Sequence, residues 1–175
     1  MRGVAAVLLV PAVMVVQVSV INMVAFPGGG GPDLILLSVV ALAIGRGAAG
    51  GAVIGFLIGL VADVLPPAAH VMGQYALVFC LVGFAVGRAG ERAPGAVAVT
   101  VIVAVLAAPL LAAGVGELLG DPRVGWPAPL RVWPSMVMYD LAIAAAGFWV
   151  VSRRSGERPR RRAVPTGAYP VRRRA

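Results

Sequence analysis

The chain has 175 residues, of which 60% are hydrophobic and only 13% are charged, and its mean hydropathy is +0.94. In an ordinary soluble domain about a quarter of the residues are charged, so this composition excludes that class. The formal net charge of +8 comes from residues 153–175, which hold nine Arg and one Glu, because the six Arg of residues 1–152 balance six acids. A neutral apolar body with a basic tail is typical of a polytopic membrane protein with a cytoplasmic C-terminus.

The position of the basic residues indicates their partner. Arginine that is segregated behind an apolar body favours anionic lipid headgroups over nucleic acid as the counter-charge. The residues expected to lie against the lipid surface are Arg153, Arg154, Arg158, Arg160, Arg161 and Arg162. The tail has too few apolar residues to fold, so residues 153–175 are predicted to be disordered.

Metal and redox chemistry have little support in the composition. Cys80 is the only cysteine and His70 the only histidine, which excludes an intramolecular disulfide and a His-pair metal site. One histidine and no lysine also leave few general bases. The sequence therefore predicts no cofactor, no metal and no enzymatic activity.

The apolar runs predict an all-α integral membrane protein, a bundle of six transmembrane helices. Their predicted bounds are about 4–26, 33–45, 48–65, 71–87, 94–118 and 134–151. The first run would be roughly 34 Å long as a helix, enough to cross a bilayer and too long for a signal peptide. Pro27 and the glycines after it end this helix, and Asp33 is the expected N-cap of the next.

The arginines test the number of spans. The second run, of about 13 residues, is too short to cross a bilayer upright, so one alternative joins helices two and three into a single broken element, leaving five. With six spans and the N-terminus inside, the cytoplasmic segments before the tail hold Arg2, Arg46, Arg88 and Arg92, against Arg123 and Arg131 outside. The positive-inside rule therefore favours six spans in the inner (plasma) membrane, with both termini cytoplasmic.

Glycine recurs at every fourth residue of the third predicted helix. The residues are Gly47, Gly51, Gly55 and Gly59, and Gly83 and Gly87 repeat the spacing at the end of the fourth helix. Such a stripe lets another helix approach closely, which is a main source of helix association in lipid. We interpret it as a packing face, whose partner is either another helix of this chain or another protein.

Polar residues inside the predicted spans gather near their outer ends. The cluster consists of Asn22, Asp33, Asp63, Gln74 and Asp140. Helix capping is the expected role of Asp33 and Asp63. Asp140 lies deeper, where an ionisable group needs a partner or a water-filled cavity, and the candidate partners are Tyr139, Gln17 and Arg131.

Three stretches between Pro32 and Glu91 carry a family resemblance. They read PDLILLSVVALAIGRG, GGAVIGFLIGLVADVL and MGQYALVFCLVGFAVGR. Pro-Asp opens the second helix, the glycine-rich third helix ends in Asp63-Val-Leu, and Gly73-Gln74 begins the fourth. This pattern resembles the rod shape-determining protein MreD family. In helix six WPSMVMYDLAIA is also similar, and Asp140 stands where an amide is common in the family.

The resemblance implies a non-enzymatic membrane component of the bacterial cell-elongation complex, the elongasome. Such a protein would bind MreC and help couple the MreB cytoskeleton to peptidoglycan synthesis by RodA and a class B penicillin-binding protein. It would act as a scaffold, in which the glycine face and the loop at residues 120–133 hold a single-span partner.

The resemblance also implies a fold similar to the S-components of energy-coupling-factor transporters. This leaves an alternative function open, that of a substrate-binding subunit of a vitamin transporter. Its pocket would consist of Asn22, Asp63, Gln74 and Asp140.

Overall fold

The computed structural model describes residues 2–65, 71–121 and 127–156. These residues form six α-helices and one short 3-10 helix, and they contain no strand. The elements are α1 (Arg2–Ser19), the 3-10 helix (Ile21–Met23), α2 (Leu34–Ala43), α3 (Gly47–Val64), α4 (Gln74–Arg92), α5 (Pro94–Leu118) and α6 (Pro127–Gly156). The prediction of an all-α fold with six helices is confirmed.

Helices α3 and α4 form a hairpin whose backbones touch. Each glycine of the predicted stripe lies against the backbone of the other helix. The facing pairs are Gly47 with Gly87, Gly51 with Gly83, Gly55 with Phe79, and Gly59 with Ala76. A Cβ at Gly51, Gly55, Gly59, Gly83 or Gly87 would overlap a backbone atom of the other helix, which cannot turn aside as a flexible side chain can. A Cβ at Gly47 would meet the Glu91 side chain. Glycine is therefore what allows this close approach.

The shortest helix, α2, is the most enclosed. It contacts each of the other five α-helices, and Leu36, Val39 and Ala43 have no exposed surface. They belong to one apolar cluster with Phe79 and Val86 of α4. A helix that is apolar all round is stable only when it is surrounded, and with ten residues α2 is about 15 Å long, half the thickness of a bilayer core.

A tight turn reverses the chain between α2 and α3. Gly45, with φ of +79°, supplies the left-handed conformation that the turn requires,. Beyond the turn, α3 runs back along α2, so that residues near the start of α2 and near the end of α3 line one cavity. The two predicted helices are thus distinct and run in opposite directions.

The outside of the bundle is apolar. Large side chains with at least half of their surface exposed include Met23, Val53, Leu57, Val99 and Phe148. Among the described helices, α3 and residues 95–118 of α5 are long and apolar enough to cross a membrane. An apolar surface of this extent is stable against lipid or another protein rather than against water.

Three helices have bounds that differ clearly from the predicted ones. Helix α1 ends at Ser19, so that Asn22 lies in the 3-10 helix rather than one turn inside α1. Helix α4 continues to Arg92, past the predicted end at residue 87. Helix α6 begins at Pro127 instead of residue 134 and continues to Gly156, into the segment predicted to be a disordered tail. Apolar patterning missed these extensions because they are polar or contain proline, which is tolerated in a first helical turn.

Candidate functional site

The loop between α1 and α2 lies along α6 and is fixed to it by hydrogen bonds. The Ser135 hydroxyl accepts from the Gly30 N–H at 3.3 Å and lies 3.2 Å from the Gly28 carbonyl oxygen. One turn further, the Tyr139 hydroxyl donates to the Pro27 carbonyl at 3.2 Å. Side chains of α6 thus form hydrogen bonds with backbone groups of the glycine loop, which have no partner within a regular helix.

The glycines of this loop are required by its closeness to α6. A Cβ on Gly30 would lie 2.5 Å from a side-chain atom of Met136 and 2.9 Å from the Val132 carbonyl oxygen. A Cβ on Gly28, where φ is +89°, would lie 2.6 Å from the Ser135 Cβ. The glycine run therefore does more than end α1, because it lets an irregular segment pack on a helix.

Asp140 of α6 forms a hydrogen bond with the backbone at Asp33, the residue immediately before α2. Its Oδ1 accepts the Asp33 backbone N–H at 2.7 Å, and the residue is fully buried. The partner of Asp140 is therefore the backbone of Asp33, and none of the three side chains expected from the sequence, Tyr139, Gln17 or Arg131, takes this place. The second oxygen of Asp140, Oδ2, has no hydrogen-bond partner among the described residues.

Asp33 has the capping role that the sequence predicts. Its Oδ1 accepts the Leu36 N–H at 2.9 Å, which is the geometry of an N-cap. The Gln17 Oε1 accepts the Leu34 N–H at 2.9 Å. Side-chain oxygens of the same protein thus accept hydrogen bonds from these N–H groups at the start of α2.

Gln17 also joins α1 to the loop. Its Nε2 donates to the Pro32 carbonyl and to Asn22 Oδ1, both at 3.1 Å. Asn22, Asp33 and Asp140 thereby belong to one network, the loop network, in which Gln17 is the bridging residue.

Asp63 and Gln74 lie in a second polar group, at the join of α3 and α4. The Asp63 carboxylate accepts the N–H groups of Gly73, Tyr75 and Ala76 at 2.9–3.1 Å. The Gln74 Nε2 donates to the Ala112 carbonyl of α5 at 2.7 Å. The predicted cluster of five residues thus divides into two groups at the same end of the bundle.

A cavity of about 640 Å³ lies between the loop network and the start of α4. Its polar lining includes Gln17, Asn22 and Asp33, and its aromatic lining is Phe26, Tyr75 and Phe79. Asp63, Gln74 and Asp140, which the sequence suggested as pocket residues, are not part of the lining. A cavity of this volume is within the range of small-molecule sites.

The opposite end of the bundle carries the arginines. The Glu91 carboxylate accepts the Ala48 N–H at 3.0 Å and pairs with Arg88 at 3.0 Å. The hydrogen bond from Ala48 lowers the pKa of Glu91, and the bond from Arg88 lowers it further. Arg46 donates to the Leu42 carbonyl at 3.0 Å. This end is therefore a mixed surface of arginines and one acid.

The predicted tail residues are described only where they continue α6. The Arg153 guanidinium lies 3.8 Å from the centre of the Trp149 ring, a cation–π contact. The Arg154 side chain and residues Arg158, Arg160, Arg161 and Arg162 lie outside the described residues, as do residues 122–126 of the loop that was predicted to bind a partner.

The six predicted glycines now have a definite place. They form the interface between α3 and α4, so of the two interpretations left open by the sequence, packing within the chain is the observed one. The expectation that this face holds a single-span partner is corrected, because α4 occupies it.

Sequence reasoning missed two residues that organise these groups. Ser135 and Glu91 each contact backbone groups far away in sequence, of the glycine loop and of α3. A signal for Ser135 existed, because Ser135 and Tyr139 are spaced i, i+4 and share a helix face next to Asp140. Glu91 had no such signal, because its partner is fixed by the way α3 and α4 align.

The apolar exterior, the buried central helix and the polar groups gathered at the two ends of the bundle define a helical integral membrane protein. A model of one family matches residues 1–121, and its description is rod shape-determining protein MreD. The chain belongs to the MreD family. No curated protein and no solved structure matches the chain.

The family membership gives the general role and the setting of the chain. It implies a function in rod shape determination, as a membrane protein and a structural component. The match covers α1 to α5 and ends before α6. The similarity seen in WPSMVMYDLAIA thus lies outside the matched residues.

Proposed function

We propose that this protein is a non-enzymatic component of the cell-elongation complex, which binds MreC and helps couple MreB to peptidoglycan synthesis by RodA and a class B penicillin-binding protein. The family match over residues 1–121 is the observation that carries the proposal. The family is defined by shape determination, and a small membrane protein can influence shape by holding its partners together.

The use of the polar side chains supports a scaffold. Gln17, Ser135 and Asp63 donate to or accept from backbone groups of neighbouring segments. Side chains committed in this way stabilise the bundle and are not free to act on a substrate. Since α4 covers the glycine face, a single-span MreC would contact the apolar exterior instead.

The orientation in the membrane is part of the proposal. Both termini are cytoplasmic, and the basic tail lies on anionic lipids of the inner leaflet, where each arginine contributes about 1 kcal/mol. This topology puts Arg46, Arg88 and Arg92 in the cytosol. Cys80 is the only cysteine, so a Cys80→Ala background with Ser155→Cys allows a direct test. A membrane-impermeant maleimide should label residue 155 only after the cells are opened, and labelling in intact cells would reverse the topology.

The function is tested by complementation. In a rod-shaped bacterium that loses its shape when its own MreD is depleted, expression of this chain together with its cognate MreC should restore rods. A tagged copy should also retain MreC through detergent extraction. Round cells that contain the protein in their membranes, with no MreC recovered, would contradict the proposal.

The cavity favours a second candidate function. A volume of about 640 Å³ lined by polar and aromatic side chains suits a substrate-binding subunit similar to the S-component of a vitamin transporter. Native mass spectrometry of the purified protein distinguishes the two. A vitamin-sized ligand at near one-to-one occupancy supports the transporter subunit, and a ligand-free spectrum supports the scaffold.

A further inference from the structure

The formal charge that the described lining residues bring to the cavity beside the loop network is negative. Asp33 lines it, and Asp140 is joined to Asp33 by the hydrogen bond of 2.7 Å. Among the described residues that line the cavity none is basic. Two carboxylates in an apolar bundle are costly unless a positive charge is near.

The donors that could have made this an anion site are already used. The start of a helix attracts anions through its free N–H groups. At the start of α2, the N–H of Asp33 goes to Asp140, that of Leu34 to Gln17, and that of Leu36 to Asp33. A phosphate or carboxylate ligand would find these three donors occupied and would be repelled by Asp33.

The Asp33 carboxylate can accept further hydrogen bonds. A carboxylate has about four acceptor sites, and Asp33 is only partly buried while capping Leu36 through Oδ1. Close behind it, Asp140 Oδ2 is buried without a partner. A ligand that donates hydrogen bonds to Asp33 therefore also offsets the charge of Asp140.

The aromatic wall favours the same ligand. Tyr75 and Phe79 meet edge to face with ring centres 5.4 Å apart, and Phe26 lines the cavity from the loop side. Aromatic faces attract ammonium and guanidinium groups, and the contribution grows when water is excluded. A carboxylate and aromatic rings around one space form a suitable site for an organic cation.

We propose that this cavity binds a small organic cation. Its ammonium or guanidinium group donates to Asp33 beside the rings of Phe26, Tyr75 and Phe79, and its apolar part packs against the same rings. The ligand class follows from the charge, the occupied N–H donors and the rings. The inference is independent of binding to MreC, which is tested by complementation and co-purification, so either result can fail without the other.

The test uses three probes of nearly equal shape, benzylammonium, benzyl alcohol and benzoate. The full-length protein is placed in nanodiscs of zwitterionic lipid, and heats from empty nanodiscs are subtracted in isothermal titration calorimetry. Benzylammonium should bind saturably, at one site per chain and at least tenfold more tightly than benzyl alcohol, and benzoate should not bind. Equal binding of the three, or no saturable binding of benzylammonium, would overturn the proposal.

Two matched variants locate the site. Asp33→Asn removes the charge while keeping an equally good N-cap, and it should weaken benzylammonium at least tenfold without changing benzyl alcohol. Glu117→Gln removes a charge from an exposed residue of α5 outside the cavity, and it should have no effect. If benzylammonium bound Asp33→Asn as tightly as the unchanged protein, or if both variants lost the same affinity, its site would not be at Asp33 and the inference would be refuted.

Discussion

Asp63 and Glu91 each cap the helix to which the other belongs. Asp63, near the end of α3, accepts N–H groups in the first turn of α4, and Glu91, near the end of α4, accepts the Ala48 N–H in the first turn of α3. A carboxylate at a helix N-terminus satisfies free donors and is stabilised by the helix dipole. The hairpin is thus closed at both ends, with the glycine contacts between them.

The Asp63 cap should matter for stability. Asp63→Ala leaves three N–H groups without their acceptor in a buried site, and we expect a loss of about 2 kcal/mol. Asp63→Asn keeps one acceptor oxygen and should lose less. Thermal unfolding of the purified protein in detergent measures both. Equal stability of Asp63→Ala and the unchanged protein would contradict this role.

The Glu91 cap should be sensitive to pH. Its pKa is lowered in the folded protein by the Ala48 N–H and by Arg88, so the folded state favours the charged carboxylate. The resulting stabilisation is present above the usual pKa, 4.5, and is lost as the pH falls through the lower folded value. The unfolding temperature of the unchanged protein should fall between about pH 5 and pH 3 more steeply than that of Glu91→Gln. Parallel curves would show that Glu91 contributes nothing.

The glycine interface can be tested with one methyl group. In Gly55→Ala the new Cβ meets the Phe79 carbonyl, and the two helices must separate, at a cost of about 1–3 kcal/mol. The matched control is Gly114→Ala in α5, where a Cβ has no neighbour within 4 Å. That change should be neutral or stabilise by up to about 1 kcal/mol, since alanine favours a helix. The yield of monodisperse protein and its unfolding temperature should separate the two variants, and similar values for both would remove the close contact from the account of the fold.

Asp140 should tolerate an amide and not an apolar side chain. Asp140→Asn retains an oxygen for the Asp33 N–H and removes a charge from a fully buried position, so stability should stay equal or rise. Asp140→Leu leaves that N–H without an acceptor and should cost about 1–3 kcal/mol. The comparison is made by thermal unfolding at neutral pH. Equal destabilisation of both variants would show that the charge itself is required, and an unharmed Asp140→Leu would show that the bond to the Asp33 N–H contributes nothing.

Much of the fold could be predicted because hydrophobic patterning and helix punctuation are local signals. Asp33 as the N-cap of α2 and the end of that helix before Arg46 depend on neighbours a few residues away. The pairing of Asp63 with α4 across 10–13 residues depends on how two helices meet. Here the sequence indicated a capping residue and could not indicate which helix it would cap.

The candidate site was harder to predict because its parts are distant in sequence. The bond between Asp33 and Asp140 joins residues 107 apart, and no spacing rule connects them. Polar residues near the same ends of their helices were expected to form one cluster. Their division into two groups follows from the loop lying on α6, which depends on packing.

The sequence by itself determined the class of the protein, its helices, its charge asymmetry and its family, since each depends on composition or on short patterns along the chain. Only the tertiary structure decided that the glycine stripe faces α4, that Asp140 binds the backbone at Asp33, and that a cavity remains beside Asp33. These are relations between surfaces, and they are fixed by the packing of whole helices, which the order of residues in one helix does not reveal.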